Sequence, residues 1–227
     1  FYRKKNPILH LMTHYCYPVL ADMQSVLGSN LCYVTMIRHP VYCISHIKYL
    51  LENINKSNQR FNFIGFRKKN ILYPWYFDVN LDEKDTLTDH AIKYFVKMSK
   101  IEEDFDKKNI NNKNLVKIPF EHFIMNTKNY LDIVSQKLNT VQTKNTTLLL
   151  KKEKLPSKFF SKRTELRTFY KHIVSRDKEE TQLIYNSRLK QIKKDSSNKN
   201  FDEFLEILCK YEDKYSIDYF STKKFIN

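Results

Sequence analysis

Leu31-Cys32-Tyr33-Val34-Thr35-Met36-Ile37-Arg38-His39-Pro40-Val41-Tyr42-Cys43-Ile44-Ser45 is the stretch that decides how this chain folds. Residues 31–37 form an unbroken apolar, β-branched run of the length expected for a strand buried on both faces, as in a parallel sheet. Pro40 suits the first turn of a helix, which can continue through Leu51 with Val41, Ile44, Lys48 and Leu51 on one side. A strand that turns directly into a helix is half of a β-α-β unit. In open sheets of such units, ligands bind beyond the carboxyl ends of the strands, where helix N-termini offer free N–H groups and a positive dipole end.

The rest of the chain extends that pattern. Residues 7–14 read as a short extended run, and Val19 to Leu27 as a helix stopped by Gly28. Glu52 to Val79 shows no clear period around the aromatic patch Tyr73-Pro74-Trp75-Tyr76-Phe77, so loop with short helices is expected. Leu87 to Asp106 is strongly amphipathic, with Ala91, Tyr94, Phe95, Met98, Ile101 and Phe105 on one stripe. Leu115-Val116-Lys117-Ile118-Pro119 reads as a second strand, and Thr127 to Leu138 as a helix with Leu131, Val134 and Leu138 inward. Helix, strand, helix, strand, helix predicts an α/β fold, a central parallel sheet flanked by helices with right-handed crossovers. Beyond Asn139 the chain becomes basic and helical, with periodic segments at 179–194 and 200–215. One domain is expected over 1–227, comprising an α/β core at 7–140 and a basic loop with C-terminal helices at 141–227.

Composition narrows the class. The 227 residues carry a net charge of +15, and the 41% apolar and 14% aromatic content is too high for a disordered chain. No run reaches the ~18 uncharged apolar residues of a membrane span, and no signal-peptide core follows the first residues. Lys outnumbers Arg 32 to 8, and 20 Asn stand beside only 2 Gly, so part of the charge reflects a general drift toward Lys, Asn, Ile, Phe and Tyr. Cys16, Cys32, Cys43 and Cys209 show no metal-type spacing; buried reduced thiols in a reducing, cytoplasmic compartment are expected.

Arg38 occupies the ligand end of the first strong strand, and a guanidinium grips a phosphate bidentately as Lys cannot. Ser45 follows on the inward stripe of the helix. The pair suits a bound anion. Two plainer readings stand beside it: Arg38 pairing with a carboxylate, and Ser45 bonding back to the carbonyl four residues earlier.

Ile37-Arg38-His39-Pro40, followed by Ser45-His46 and Tyr49, resembles the 3′-phosphate-binding signature of the sulfotransferases that use 3′-phosphoadenosine 5′-phosphosulfate (PAPS). Pro7-Ile8-Leu9-His10-Leu11-Met12-Thr13-His14 is similar to the family's strand ending in Lys-Thr-His, with Met12 where relatives carry Lys. Leu115 to Phe123, with Asn126 and the helix beyond, resembles the strand and helix written as Tyr-Glu-Asp-Leu. The resemblance covers residues 7–140 and implies a P-loop-type sulfotransferase fold. It also implies sulfuryl transfer from PAPS to an acceptor hydroxyl, on a carbohydrate or glycolipid by default, without a metal. His14 is then the implied base, and Arg38 and Ser45 hold the 3′-phosphate. A late loop at Ser157-Lys158-Phe159-Phe160-Ser161-Lys162-Arg163 supplies Lys158, Lys162 and Arg163 to the nucleotide. The family's first strand and its Gly/Ser/Thr-rich phosphosulfate loop would precede residue 1, so the expectation is a domain truncated at its N-terminus.

Competing classes are a basic nucleic-acid-binding module, with Tyr and Phe among the lysines stacking on bases, and a catalytically inactive nucleotide-binding relative. No helix-turn-helix, zinc or RNA-recognition signature is present, so no nucleic-acid partner is expected. A kinase would need a Gly-rich Lys-Ser/Thr loop and a metal-binding acid after a strand, and neither is visible.

Overall fold

The computed structural model describes residues 17–28, 31–56, 65–68, 71–74, 77, 79–80, 82, 84–109, 114–153, 155–156, 178–216 and 221–226. The order of elements is α1 (Tyr17–Leu27), β1 (Tyr33–Ile37), α2 (Pro40–Lys56), β2 (Gly65–Lys68), β3 (Ile71–Pro74), α3 (Leu87–Lys108), β4 (Leu115–Pro119), α4 (Phe120–Met125), α5 (Thr127–Lys137), α6 (Lys144–Lys152), α7 (Lys178–Lys194), α8 (Asn198–Tyr215) and α9 (Lys223–Ile226). Helices dominate. β1 and β4 pair in parallel, with Tyr33 opposite Leu115 and Ile37 opposite Pro119, so both strands end at the same edge. Among the described residues the parallel sheet has these two strands. The larger central sheet expected from the sequence is not seen there, and the segment read as a strand at 7–14 lies outside them.

β1 differs from expectation in its burial. Val34 is 40% and Met36 49% exposed, whereas Val116 and Ile118 of β4 are buried. The apolar run of β1 does not separate one covered face from two, because its pattern is apolar on both. The region read as irregular loop contains an antiparallel pair, β2 with β3, Phe66 opposite Tyr73. Strands of four residues are too short to show a period. Tyr73 and Phe77 from the same aromatic patch are buried core residues.

The core assembles helices from both halves of the chain. Val41, Ile44 and Leu51 of α2 and Ala91 and Ile92 of α3 share one cluster with Tyr185 and Leu189 of α7 and Phe204 and Leu208 of α8. Each Val, Leu, Ile and Phe side chain of the set contributes about 1.5–3 kcal/mol when fully buried. Lys48, on the same stripe of α2, keeps its ammonium at the edge of that core by pairing with Asp195 at 2.5 Å.

α3 begins with a capping box. Thr86 accepts from the Asp89 N–H while the Asp89 carboxylate accepts from the Thr86 N–H. The other oxygen of Asp89 accepts from the Ser197 N–H at 2.8 Å and the Asn200 side chain at 2.7 Å, at the start of α8. One buried carboxylate thus fixes the starts of two helices to each other.

Candidate functional site

The β1–α2 turn brings Arg38 to the carboxyl edge of the parallel pair. Pro40 opens α2 with no N–H to lose. The Tyr42 and Cys43 N–H groups both donate to the His39 carbonyl, and the Val41 N–H points to His39 Nδ1 at 3.4 Å. The free amides expected at this helix start are therefore taken up by His39, and an anion here would be held by side chains.

Arg38 is half-buried. Its guanidinium carbon stands 5.2 Å from the Tyr42 ring centre and 5.3 Å from that of Phe120, the first residue of α4. Its Nε is buried without a hydrogen-bond partner, and among the described residues no carboxylate forms an ion pair with it. The carboxylate that follows β4, Glu121, is engaged elsewhere. Fully buried, it accepts the His39 N–H and the Tyr211 hydroxyl, both at 2.9 Å. Among the described residues, then, Arg38 is not neutralised by an acid.

The turn is pinned from behind. The His39 ring is completely buried, edge-on to Tyr185 and Tyr211, and its Nε2 lies 3.4 Å from Glu212 Oε1. Glu212 also accepts from the Tyr185 hydroxyl at 2.9 Å and from the Thr222 hydroxyl and N–H. Burial alone would raise the Glu212 carboxyl, but the hydrogen bonds from His39 and Thr222 outweigh it and hold it below its ordinary range. Burial also pushes Tyr185 and Tyr211 upward, so both remain neutral donors to their carboxylates.

Ser45 takes the plainer of its two readings, since its hydroxyl donates to the Val41 carbonyl at 3.1 Å. It lines a cleft of about 340 Å³ between α2, α7 and the start of α3, which Arg38 does not reach. The guanidinium in that cleft belongs to Arg188 of α7, 4.9 Å from the Tyr42 ring centre. Burial pulls Arg188 below its ordinary value, and the charge of Arg38 adds to that. Tyr42 thus stands against two guanidinium groups, and burial raises its hydroxyl to about 12.

Sequence reading missed Arg188 because nothing at 178–194 marks it among so many lysines. It also missed the Tyr42 and Phe120 platform, although a Tyr one helical turn after Arg38 was a usable signal. His14, Lys158, Lys162, Arg163 and Trp75 lie outside the described residues. Cys32, Cys43 and Cys209 are free and half-buried, not fully buried as expected, and desolvation raises all three thiols, Cys43 to about 12. Among the described residues no group of three or more His, Cys, Asp or Glu could hold a metal, and no helix is long and apolar enough to cross a membrane. The chain matches no family model, no curated protein and no solved structure.

Proposed function

We propose that the chain binds a phosphorylated adenosine nucleotide through Arg38 and acts as a PAPS-dependent sulfotransferase of P-loop-like fold. In this reading the sulfuryl group passes to a hydroxyl of a carbohydrate or glycolipid. The observation that supports it is the half-buried Arg38 guanidinium, which has no carboxylate partner among the described residues, at the carboxyl end of a parallel strand. A cation withdrawn from water without a counter-ion is costly, and an arriving phosphate would offset that cost. The rings of Tyr42 and Phe120 hold the guanidinium plane in place for bidentate contact.

His14 would remove the acceptor proton, and Lys158, Lys162 and Arg163 would close over the nucleotide. The sulfuryl group moves in line from the phosphosulfate oxygen to the acceptor oxygen, and the proton passes to the imidazole. Adenosine 3′,5′-bisphosphate is expected to raise the melting temperature, and Arg38→Ala to remove that shift, weakening binding by about tenfold or more. A shift that survives Arg38→Ala refutes the site. A shift produced by single-stranded nucleic acid alone, with steep salt dependence, would mean a nucleic-acid-binding module instead.

A further inference from the structure

α6 carries apolar side chains that its own surroundings leave in water. None of its nine residues is buried, and among the described elements it packs extensively on no other. Leu148 is 62% and Leu149 59% exposed, and Val141, just before the helix, is 85% exposed. A helix of this length is marginal in water by itself, because most helical stability comes from packing an apolar face. The Thr143 N–H donates to the Thr146 hydroxyl at 3.2 Å, which secures the start of the helix but covers neither leucine.

Three lysines frame the leucines. Lys144 and Lys152 lie one helical turn to either side of Leu148, and Lys151 lies three residues after it, so the apolar spot sits among cations on one face. Across 127–153 there are five Lys against two acids, Asp132 and Glu153, and Asp132 already accepts from the Gln142 side chain at 2.6 Å. That frame selects the occupant. A second copy laid antiparallel on α6 would set Lys144 of one chain against Lys152 of the other, a like-charge contact. Residues 157–177 hold six Lys and Arg against two acids, and residues 1–16 hold three against none, so the same repulsion meets either of them. The partner is therefore anionic. A protein groove would have to admit two leucines that point about 100° apart, together with Val141 beyond the helix start. A lipid layer takes apolar side chains at any angle, and lets lysine stems run along them to ammonium groups at the head groups.

We infer that α6 docks the protein on an anionic lipid surface, lying in its plane with Leu148 and Leu149 among the acyl chains and Lys144, Lys151 and Lys152 at the head groups. The inference does not rest on the nucleotide reading. Co-sedimentation of the full chain with phosphatidylcholine vesicles containing about 30% phosphatidylserine tests it, and binding about tenfold or more tighter than to phosphatidylcholine alone is expected. A chain of net charge +15 is drawn to any polyanion, so the deciding variants separate contact from charge. Leu148→Gln with Leu149→Gln keeps the charge, the helical preference and, at exposed positions, the melting temperature, and should weaken binding about tenfold. Lys144→Gln, Lys151→Gln and Lys152→Gln together should weaken it about tenfold more than Lys190→Gln, Lys199→Gln and Lys210→Gln, which remove the same charge from exposed positions elsewhere. Absence of vesicle binding, native affinity in the leucine variant, or equal losses in the two lysine variants overturns the inference. So does tighter binding to poly-L-glutamate than to the vesicles with the same dependence on the leucines, which would make the partner an acidic polypeptide.

Discussion

Glu121 shows how a single side chain can set the posture of a site it does not enter. Its carboxylate is fully buried and bound on one oxygen by the His39 N–H and on the other by Tyr211. Removing it leaves two buried donors without an acceptor, so Glu121→Ala should cost about 2–5 kcal/mol in urea unfolding. Tyr211→Phe leaves the His39 bond in place and should cost about 1–2 kcal/mol. Equal losses in the two variants would show that the His39 contact carries no weight. Arg38 and Glu121 were both visible in the sequence, each beside a strand end. Their relationship was not, because spacing along the chain does not reveal which buried donor a carboxylate will take.

At the scale of elements, periodic segments were readable and short ones were not. α3 came out within a few residues of its sequence reading because its apolar stripe repeats over many turns. β4 was read at its observed bounds, and parallel pairing with β1 followed from the alternation of helices and strands. The β2–β3 hairpin and the short helix α4 were missed for lack of length. Asp89 adds a link that no local pattern contains, since it serves α3 and α8 together. Thr86→Ala should therefore cost about 1 kcal/mol, a lost cap, whereas Asp89→Ala should cost about 3 kcal/mol or more in the same denaturation assay. Similar costs would mean that the bonds from Ser197 and Asn200 add little.

Across the whole molecule, the buried acids govern how stability responds to pH. Burial would raise Asp89, but hydrogen bonds from Asn200, Thr86 and Ser197 outweigh it and hold it low. Asp195 is held low in the same way by Lys48 and Gln191, as Glu212 is by His39 and Thr222. A carboxyl whose folded pKa lies below its unfolded value stabilises fully above the unfolded value, about 4, and loses that contribution as pH falls through the folded one. The urea midpoint should therefore be level near pH 6 and fall steeply below about pH 4, with a shallower fall in Asp89→Asn. A midpoint unchanged down to about pH 3 would contradict this assignment of the carboxyls. The +15 charge works in the same direction, because each acid neutralised leaves more cations facing one another.

The pinning of the β1–α2 turn also bears on how such a chain can change over generations. His39 touches Glu121 through its backbone and Glu212 through its ring, and those two carboxylates in turn hold Tyr211, Tyr185 and Thr222. Substitutions in α7, α8 and the segment before α9 are thus inherited by the Arg38 turn as a change of orientation. A lineage that alters one member of the set comes under pressure to alter the others, so residues 185–222 constrain the history of the first strong strand.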